Sequence, residues 1–117
     1  MCGILGAWTR RPLGLETRDE ALQQIQHRGP DDEGRFSQGG VFLGMRRLAV
    51  VDLESGRQPL FNERRTCAVV MNGEIYNYRE LAGTLRKSGH RLSTASDTEV
   101  AVHLYEDHGE SFCNRLN

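Results

Sequence analysis

Apolar positions in this chain come in short runs, separated by glycine-rich or charged stretches. Cys2 to Trp8 is one such run, broken by Gly3 and Gly6, and its length and composition suit a buried strand better than a helix. Thr17 to Gln26 has helical spacing instead: Thr17 and Glu20 form a capping box, and Ala21, Leu22 and Ile25 make a modest apolar stripe. Gly29 stops this helix and Pro30 forbids its resumption. The string from His27 to Gly34 is densely polar and reads as a solvated turn. Between Gly40 and Asp52, Val41, Leu43 and Met45 alternate, and Arg46-Arg47 lead into Leu48-Ala49-Val50-Val51. That pattern predicts two strand segments or one long strand. A turn follows at Gly56 to Pro59, and Thr66 to Met71 reads as the clearest central strand.

The remaining third is more helical. Asn77 to Lys87 is predicted as a helix with Asn77 as its cap, Glu80 three residues on, Leu81 and Leu85 four apart, and Gly89 at its end. Arg91-Leu92-Ser93 suggests a short strand. Ser96-Asp97-Thr98-Glu99 opens another helix, with Val100, Ala101, Leu104 and Tyr105 facing inward and Gly109 closing it. Strands joined by hairpins and followed by helices predict an α+β domain, an antiparallel sheet with helices packed on a face.

Composition narrows the class. The 117 residues suffice for one domain, and 38% hydrophobic with 26% charged residues fits a globular rather than a disordered chain. A formal net charge of −1 leaves no electrostatic footprint for nucleic acid or a membrane surface. No apolar run approaches the ~20 residues of a membrane span, and the start lacks a signal-peptide pattern. Three cysteines, Cys2, Cys67 and Cys113, are an odd number without metal-like pairing, which argues against a disulfide framework and for a reducing, cytoplasmic setting. Cys67 and Cys113 read as buried small hydrophobes. The four histidines, His27, His90, His103 and His108, show no metal-ligand spacing, so they are expected at the surface or half-buried, and no metal site is expected.

The chemistry concentrates on Cys2. Once Met1 is removed, Cys2 carries a thiol (reference pKa about 8.5) beside a free α-amine (about 7.7–8.0), and a terminal amine can serve as general base to the adjacent nucleophile. Arg46 and Arg47 point to opposite faces of a regular strand, and an inward arginine needs an anion partner. Asn72-Gly73 has two readings: a type I′ hairpin turn, or an oxyanion hole made by the Asn72 amide and the Gly73 N–H. Asp97 lies at a helix start, where a carboxylate is electrostatically favoured.

Together these segments, Cys2-Gly3-Ile4, His27-Arg28-Gly29-Pro30-Asp31, Arg47-Leu48, Asn72-Gly73-Glu74-Ile75-Tyr76-Asn77 and Ser96-Asp97-Thr98-Glu99, resemble the glutaminase domain of class II glutamine amidotransferases. The Pro30-Asp31 and Glu74-Ile75-Tyr76-Asn77 continuations are similar to the glutamine-hydrolysing asparagine synthetase branch. The resemblance implies an N-terminal-nucleophile αββα sandwich of antiparallel sheets. It implies Cys2 as nucleophile with its α-amine as base, Asn72 and Gly73 as oxyanion hole, Arg47 on the glutamine α-carboxylate, Asp97 on its α-ammonium, and Val50 and Glu74 completing the pocket. L-Glutamine is the implied partner, with ammonia passed to a C-terminal synthetase domain that amidates aspartate.

In that family the glutaminase domain continues past the equivalent of Asn117, with a Gly-x-Phe-Ala-type strand and a later Arg-Asp segment. Residues 1–117 are therefore expected to form a partial domain, its sandwich incomplete at the C-terminus. The pyrophosphate-binding Ser-Gly-Gly-x-Asp-Ser loop of the synthetase domain has no match here. ATP and magnesium are thus expected with that absent domain and no cofactor with this chain, and the resemblance leaves room for a homodimer. The alternatives are a related amidotransferase with another acceptor and a non-catalytic glutamine-binding module.

Overall fold

The computed structural model describes residues 2–48 and 57–117. The architecture is mixed α/β with antiparallel sheets, and the described residues fall into two compact units.

The first unit comprises residues 2–48 with Arg57–Pro59 and Val70–Asn72. Its sheet has three strands, β1 (Gly3–Trp8), β2 (Asp32–Gln38) and β3 (Val41–Arg47), in the order β1-β3-β2, all antiparallel. β1 and β3 occupy the predicted segments. β2 corrects the expected solvated turn, because the polar residues from Asp32 onward pair with β3 along seven positions, from Asp32 opposite Arg47 to Gln38 opposite Val41. A polar strand is tolerated because β2 pairs on one side only among the described residues, and charge pairs along it replace apolar burial. Arg35 bridges Asp19 and Glu33, and Glu33 also pairs with Arg46. Gly39, at a φ of 56°, makes the tight turn into β3.

Helix α1 (Leu15–Gln24) starts two residues before the predicted Thr17, with Gly14 at the cap position and no side-chain cap. The expected capping box is therefore not formed. Arg18 supplies the fixing contact instead, its Nε donating to the Leu13 carbonyl at 2.7 Å. Of the predicted stripe only Leu22 is fully buried, against Gly44 of β3. A 3₁₀ turn, Gln26–Arg28, then leads to Gly29.

The second unit comprises Leu60–Val69 and Gly73–Asn117. Here the predicted central strand Thr66–Met71 shrinks to β5 (Ala68–Val69), paired with β4 (Leu60–Phe61). Its N-terminal part is taken by an Asn62 turn, in which the side-chain Oδ1 accepts from the N–H groups of Thr66 and Cys67 at 2.8 and 2.9 Å. The predicted strand at Arg91–Ser93 is absent because carboxylates, not a neighbouring strand, take its backbone donors: Arg91 N–H bonds Glu63 and Ser93 N–H bonds Glu99.

Helices α2 (Tyr78–Lys87) and α3 (Asp97–His108) match their predicted spans closely and end at Gly89 and Gly109. Ala82 and Leu85 of α2 pack with Val100 and Leu104 of α3 to form this unit's core. α3 is buried along residues 98–104, whereas Tyr105, expected inward, is 45% exposed. A 3₁₀ segment, Gly109–Arg115, follows, and it leaves Cys113 exposed rather than buried. Among the described residues no helix is long and apolar enough to cross a membrane.

Leu85 is 2% exposed at the centre of the α2–α3 contact. Leu85→Ala should cost about 3 kcal/mol through lost burial and a residual cavity, measurable as a fall in the urea midpoint. Replacing the exposed Thr84 with alanine should shift it by less than about 0.5 kcal/mol.

Candidate functional site

Cys2 sits just before β1, half-buried, and its Sγ lies 4.0 Å from the Leu48 carbonyl oxygen. The register explains this position. Gly3 pairs with Arg46 across β1–β3, and Arg47 pairs with Asp32 across β2–β3, so Cys2, Arg47 and Asp32 gather at one end of the sheet.

Two glycines make that end. A Cβ on Gly3 would lie 3.0 Å from Arg28 Cβ and 3.2 Å from Ile25 Cβ, and one on Gly29 would collide with the backbone carbonyls of Arg46 and Arg47. The glycine after the cysteine and the glycine after the arginine are thus close-approach positions. They let residues 25–29 lie directly against β1 and β3. Asp31 N–H then bonds the Arg47 carbonyl at 3.0 Å.

The two arginines divide as their alternation predicts. Arg46 is the inward one: its side chain is 13% exposed, pairs with Glu33 at 2.6 Å and donates to the Gly29 carbonyl at 3.2 Å. Glu33 is the anion partner that the sequence demanded without naming. Arg47 projects from the opposite face of β3.

Asn72 closes the first unit's last segment, and Gly73 opens the second unit's. The type I′ reading of this dipeptide fails, since neither residue has the positive φ that such a turn requires and no strand follows. Both are exposed. The residue before them is pinned by a contact that sequence reasoning missed. The Gln58 side chain accepts from Met71 N–H at 2.6 Å and donates to the Met71 carbonyl at 3.1 Å, bonding that backbone as a neighbouring strand would.

In the second unit, Asp97 is the first residue of α3, after a Ser96 cap that accepts from Thr98 N–H at 3.2 Å. Its Oδ2 accepts from Ile75 N–H at 2.8 Å, which brings Asp97 beside the Glu74-Ile75 segment. Asn77 does not cap α2 with its side chain. It donates to the Arg115 carbonyl at 2.8 Å and accepts from Asn117 N–H at 3.1 Å, so residues 75–77 are clamped at both ends. Val50 lies outside the described residues.

Behind Asp97, Glu99 is buried and accepts four hydrogen bonds, from the N–H and hydroxyl groups of Ser93 and Thr94 at 2.5–2.8 Å. Burial opposes its charge, but these donors outweigh burial and hold its carboxyl below the usual range. The fourth residue of the Ser-Asp-Thr-Glu motif therefore fixes the loop that delivers Asp97.

The histidines correct the sequence expectation most sharply. His103 is fully buried and His90 is largely covered, and the two rings stand 5.0 Å apart between Glu63, Glu99 and Asp107. Burial pulls the His90 pKa down, but Asp107 and then Glu63 raise it above its ordinary value overall. Glu63 is held below its ordinary value because the Arg91 N–H bond, its own backbone N–H and the two histidines outweigh burial. The one signal in the sequence was the three-residue step from His103 to Glu106, which places both on one helix face.

A family model for the glutamine amidotransferase domain matches residues 1–117. The chain is 45% identical, over its whole length, to the asparagine synthetase [glutamine-hydrolyzing] of Sandersonia aurantiaca, covering 22% of that protein. It is 42% identical to asparagine synthetase [glutamine-hydrolyzing] 2 of Oryza sativa subsp. japonica over its whole length and 20% of that protein. Identity is 41% over 99% of the chain to asparagine synthetase [glutamine-hydrolyzing] 1 of Bacillus subtilis, covering 19% of that protein. The chain thus spans about a fifth of the length of these relatives.

Two substitutions test the supports of the site. Gly29→Ala should disorder the Arg46–Arg47 end of the sheet and lower stability by about 2–3 kcal/mol, because a backbone clash cannot relax by a side-chain rotation. Glu99→Gln replaces an acceptor of four bonds by a group that accepts at one oxygen only. It should cost about 2–3 kcal/mol, and both effects are read from urea denaturation.

Proposed function

Because the chain belongs to the glutamine amidotransferase domain family, we propose that it is the glutaminase part of an asparagine synthetase. In this reading it hydrolyses L-glutamine at Cys2 and supplies ammonia for ATP-dependent amidation of aspartate. The observation that carries the reading is Cys2 itself, directly after Met1 and seated at the Arg46–Arg47 end of the sheet.

The mechanism follows from the groups. With Met1 removed, the Cys2 α-amine takes the thiol proton and the sulfur attacks the side-chain amide carbon of glutamine. The oxyanion that forms accepts hydrogen bonds from the Asn72 amide and the Gly73 N–H, each donor typically worth about 2.7–4 kcal/mol. The ammonium returns its proton to the departing nitrogen as the carbon–nitrogen bond breaks. Ammonia leaves, and a γ-glutamyl thioester remains on Cys2. Water, deprotonated by the same amine, hydrolyses it to glutamate and the free thiol.

Arg47 binds the α-carboxylate with a planar fork that lysine lacks. Asp97 binds the α-ammonium, and Val50 and Glu74 complete the pocket. Asp97 has room for this, since a carboxylate offers about four acceptor sites and the Ile75 N–H occupies one at Oδ2. Recognition of both charges excludes ligands that lack either, because a pocket charge would be left unpaired.

The finer architecture proposed is the αββα sandwich of N-terminal-nucleophile hydrolases, of which residues 1–117 are a part. ATP and magnesium serve a synthetase domain elsewhere in the protein. A cytoplasmic setting agrees with three free thiols.

The test is labelling of the Met1-processed chain with a glutamine-analogue electrophile, mapped by mass spectrometry. The adduct should form on Cys2 and be suppressed by excess glutamine, with Cys67 and Cys113 as internal controls. Equal labelling of the three thiols would overturn the assignment. In the longer protein, Cys2→Ala should abolish glutamine-dependent but not ammonia-dependent amide formation.

A further inference from the structure

Within the second unit, one cluster plays no part in the glutamine chemistry. We propose that Glu63, His90, His103 and Glu106 form a binding site for a divalent transition metal of the zinc class, held by two imidazoles and two carboxylates. The proposal is independent of the glutaminase reading.

The four residues each offer one ligand atom, and these atoms lie within 4.8 Å of one another. They come from three separate places in the chain: the turn after β4, the segment after α2, and one face of α3, where His103 and Glu106 stand three residues apart. Two imidazoles with two carboxylates are a donor set suited to zinc or a neighbouring first-row ion rather than to calcium or magnesium.

A second, independent observation comes from unpaired atoms. His103 is 0% exposed, yet neither of its ring nitrogens has a hydrogen-bond partner, and Glu106 Oε2 is likewise buried and unpaired. Buried polar atoms are ordinarily satisfied, and an ion between them would satisfy the unpaired inward nitrogen and oxygen together.

The orientation of the rings matches metal ligation. His90 Nδ1 lies 3.3 Å from Glu63 Oε1, and His103 Nδ1 lies 3.4 Å from Glu63 Oε2. Both Nδ1 atoms therefore face the same carboxylate. Each opposite nitrogen faces a different carboxylate: His90 Nε2 is 3.0 Å from Asp107, and His103 Nε2 is 3.6 Å from Glu99. Metal-bound histidines characteristically turn their second nitrogen to a carboxylate, which fixes the tautomer; His90 does so at hydrogen-bond distance, whereas His103 Nε2 faces Glu99 without a hydrogen bond. Glu106 keeps Oε2 for the ion, since its contact with Arg64, at 4.0 Å, is through Oε1. A cavity of about 450 Å³, lined by Glu63, His90, Glu106 and Asp107 among others, gives an ion a way in.

Four protein ligands fill a tetrahedron, so the site is structural rather than hydrolytic. An ion there would tie the turn after β4 and the segment at His90 to α3.

The chain, stripped with a chelator, is titrated with Zn(II) and, for a visible spectrum, with Co(II). One ion per chain should bind with a micromolar or lower Kd, with the strong d–d absorption of a tetrahedral site and no thiolate charge-transfer band. Zn(II), and not Mg(II), should raise the melting temperature. His90→Gln and Glu106→Gln, chosen because neither residue is fully buried, should each weaken binding at least tenfold. Binding no tighter than millimolar, a thiolate band pointing to Cys2, Cys67 or Cys113, or unchanged affinity in both variants would each overturn the proposal. Should a variant fail to fold by circular dichroism, the Co(II) spectrum of the unaltered chain still decides.

Discussion

The Cys2 end of the first unit depends on how closely the backbone at residue 29 approaches β3. No Cβ fits between Gly29 and the carbonyls of Arg46 and Arg47, and several further contacts require that proximity. Arg46 reaches back to the Gly29 carbonyl, and Asp31 N–H bonds the Arg47 carbonyl. Arg28 packs over Gly3, next to Cys2. One backbone contact thus sets where the chain re-enters the sheet as β2, which arginine turns inward to Glu33, and where Cys2 sits relative to both. The motif His27-Arg28-Gly29-Pro30-Asp31 acts here as a joint.

The second unit solves a different problem by a different device. Among its described residues the sheet is only the two-residue pairing of β4 with β5, so backbone donors must be satisfied otherwise. Carboxylates do it: Glu99 for Ser93 and Thr94, Glu63 for Arg91, and Asp97 for Ile75. An ionised acceptor is stronger than a neutral one, and one side chain can serve several donors. That economy carries a cost in buried charge, offset here by the number of donors around Glu99. It also leaves the segments that hold Glu74 and Asp97 fixed by side chains rather than by a ladder.

Legibility from sequence tracked whether the deciding interaction was local. α2 and α3 were readable because their stripes and terminal glycines, and for α3 the Ser96 cap, lie within a few residues of each other. β1 and β3 were readable from apolar patterning. β2 was not, because its stability comes from pairing with β3 and from Arg46 and Arg35, none of which a polar string announces. Thr66–Met71 was over-read, since its apolar pattern is that of a strand while Asn62 and Gln58 take the backbone groups at either end. The motifs offer Cys2, Arg47, Asn72, Gly73 and Asp97 as an expected set; in the structure Cys2 and Arg47 stand at one end of the first unit's sheet, and Asp97 stands beside Ile75 in the second unit. The histidine cluster was not, because His90 and His103 meet only after α3 packs beside the segment that follows α2.

The charged side chains therefore separate by how fully their bonding capacity is spent. Arg46 and Glu33 close on each other, and Glu99 is filled by four donors. Such groups hold structure and have little left for a ligand. Asp97 spends Oδ2 on Ile75 and keeps at Oδ1 only a long 3.4 Å contact with the Thr98 hydroxyl. Glu106 has a buried oxygen with no hydrogen-bond partner, and His103 has two such nitrogens, near carboxylates but unbonded. Unspent capacity, not charge alone, distinguishes a residue that can take a ligand from one that fixes the scaffold. By that criterion Glu99 and Asp97, two residues apart in one motif, differ: the four donors fill Glu99, whereas Asp97 keeps acceptor capacity. The same criterion sets the buried histidine apart from an ordinary core residue, although nothing in its sequence neighbourhood does.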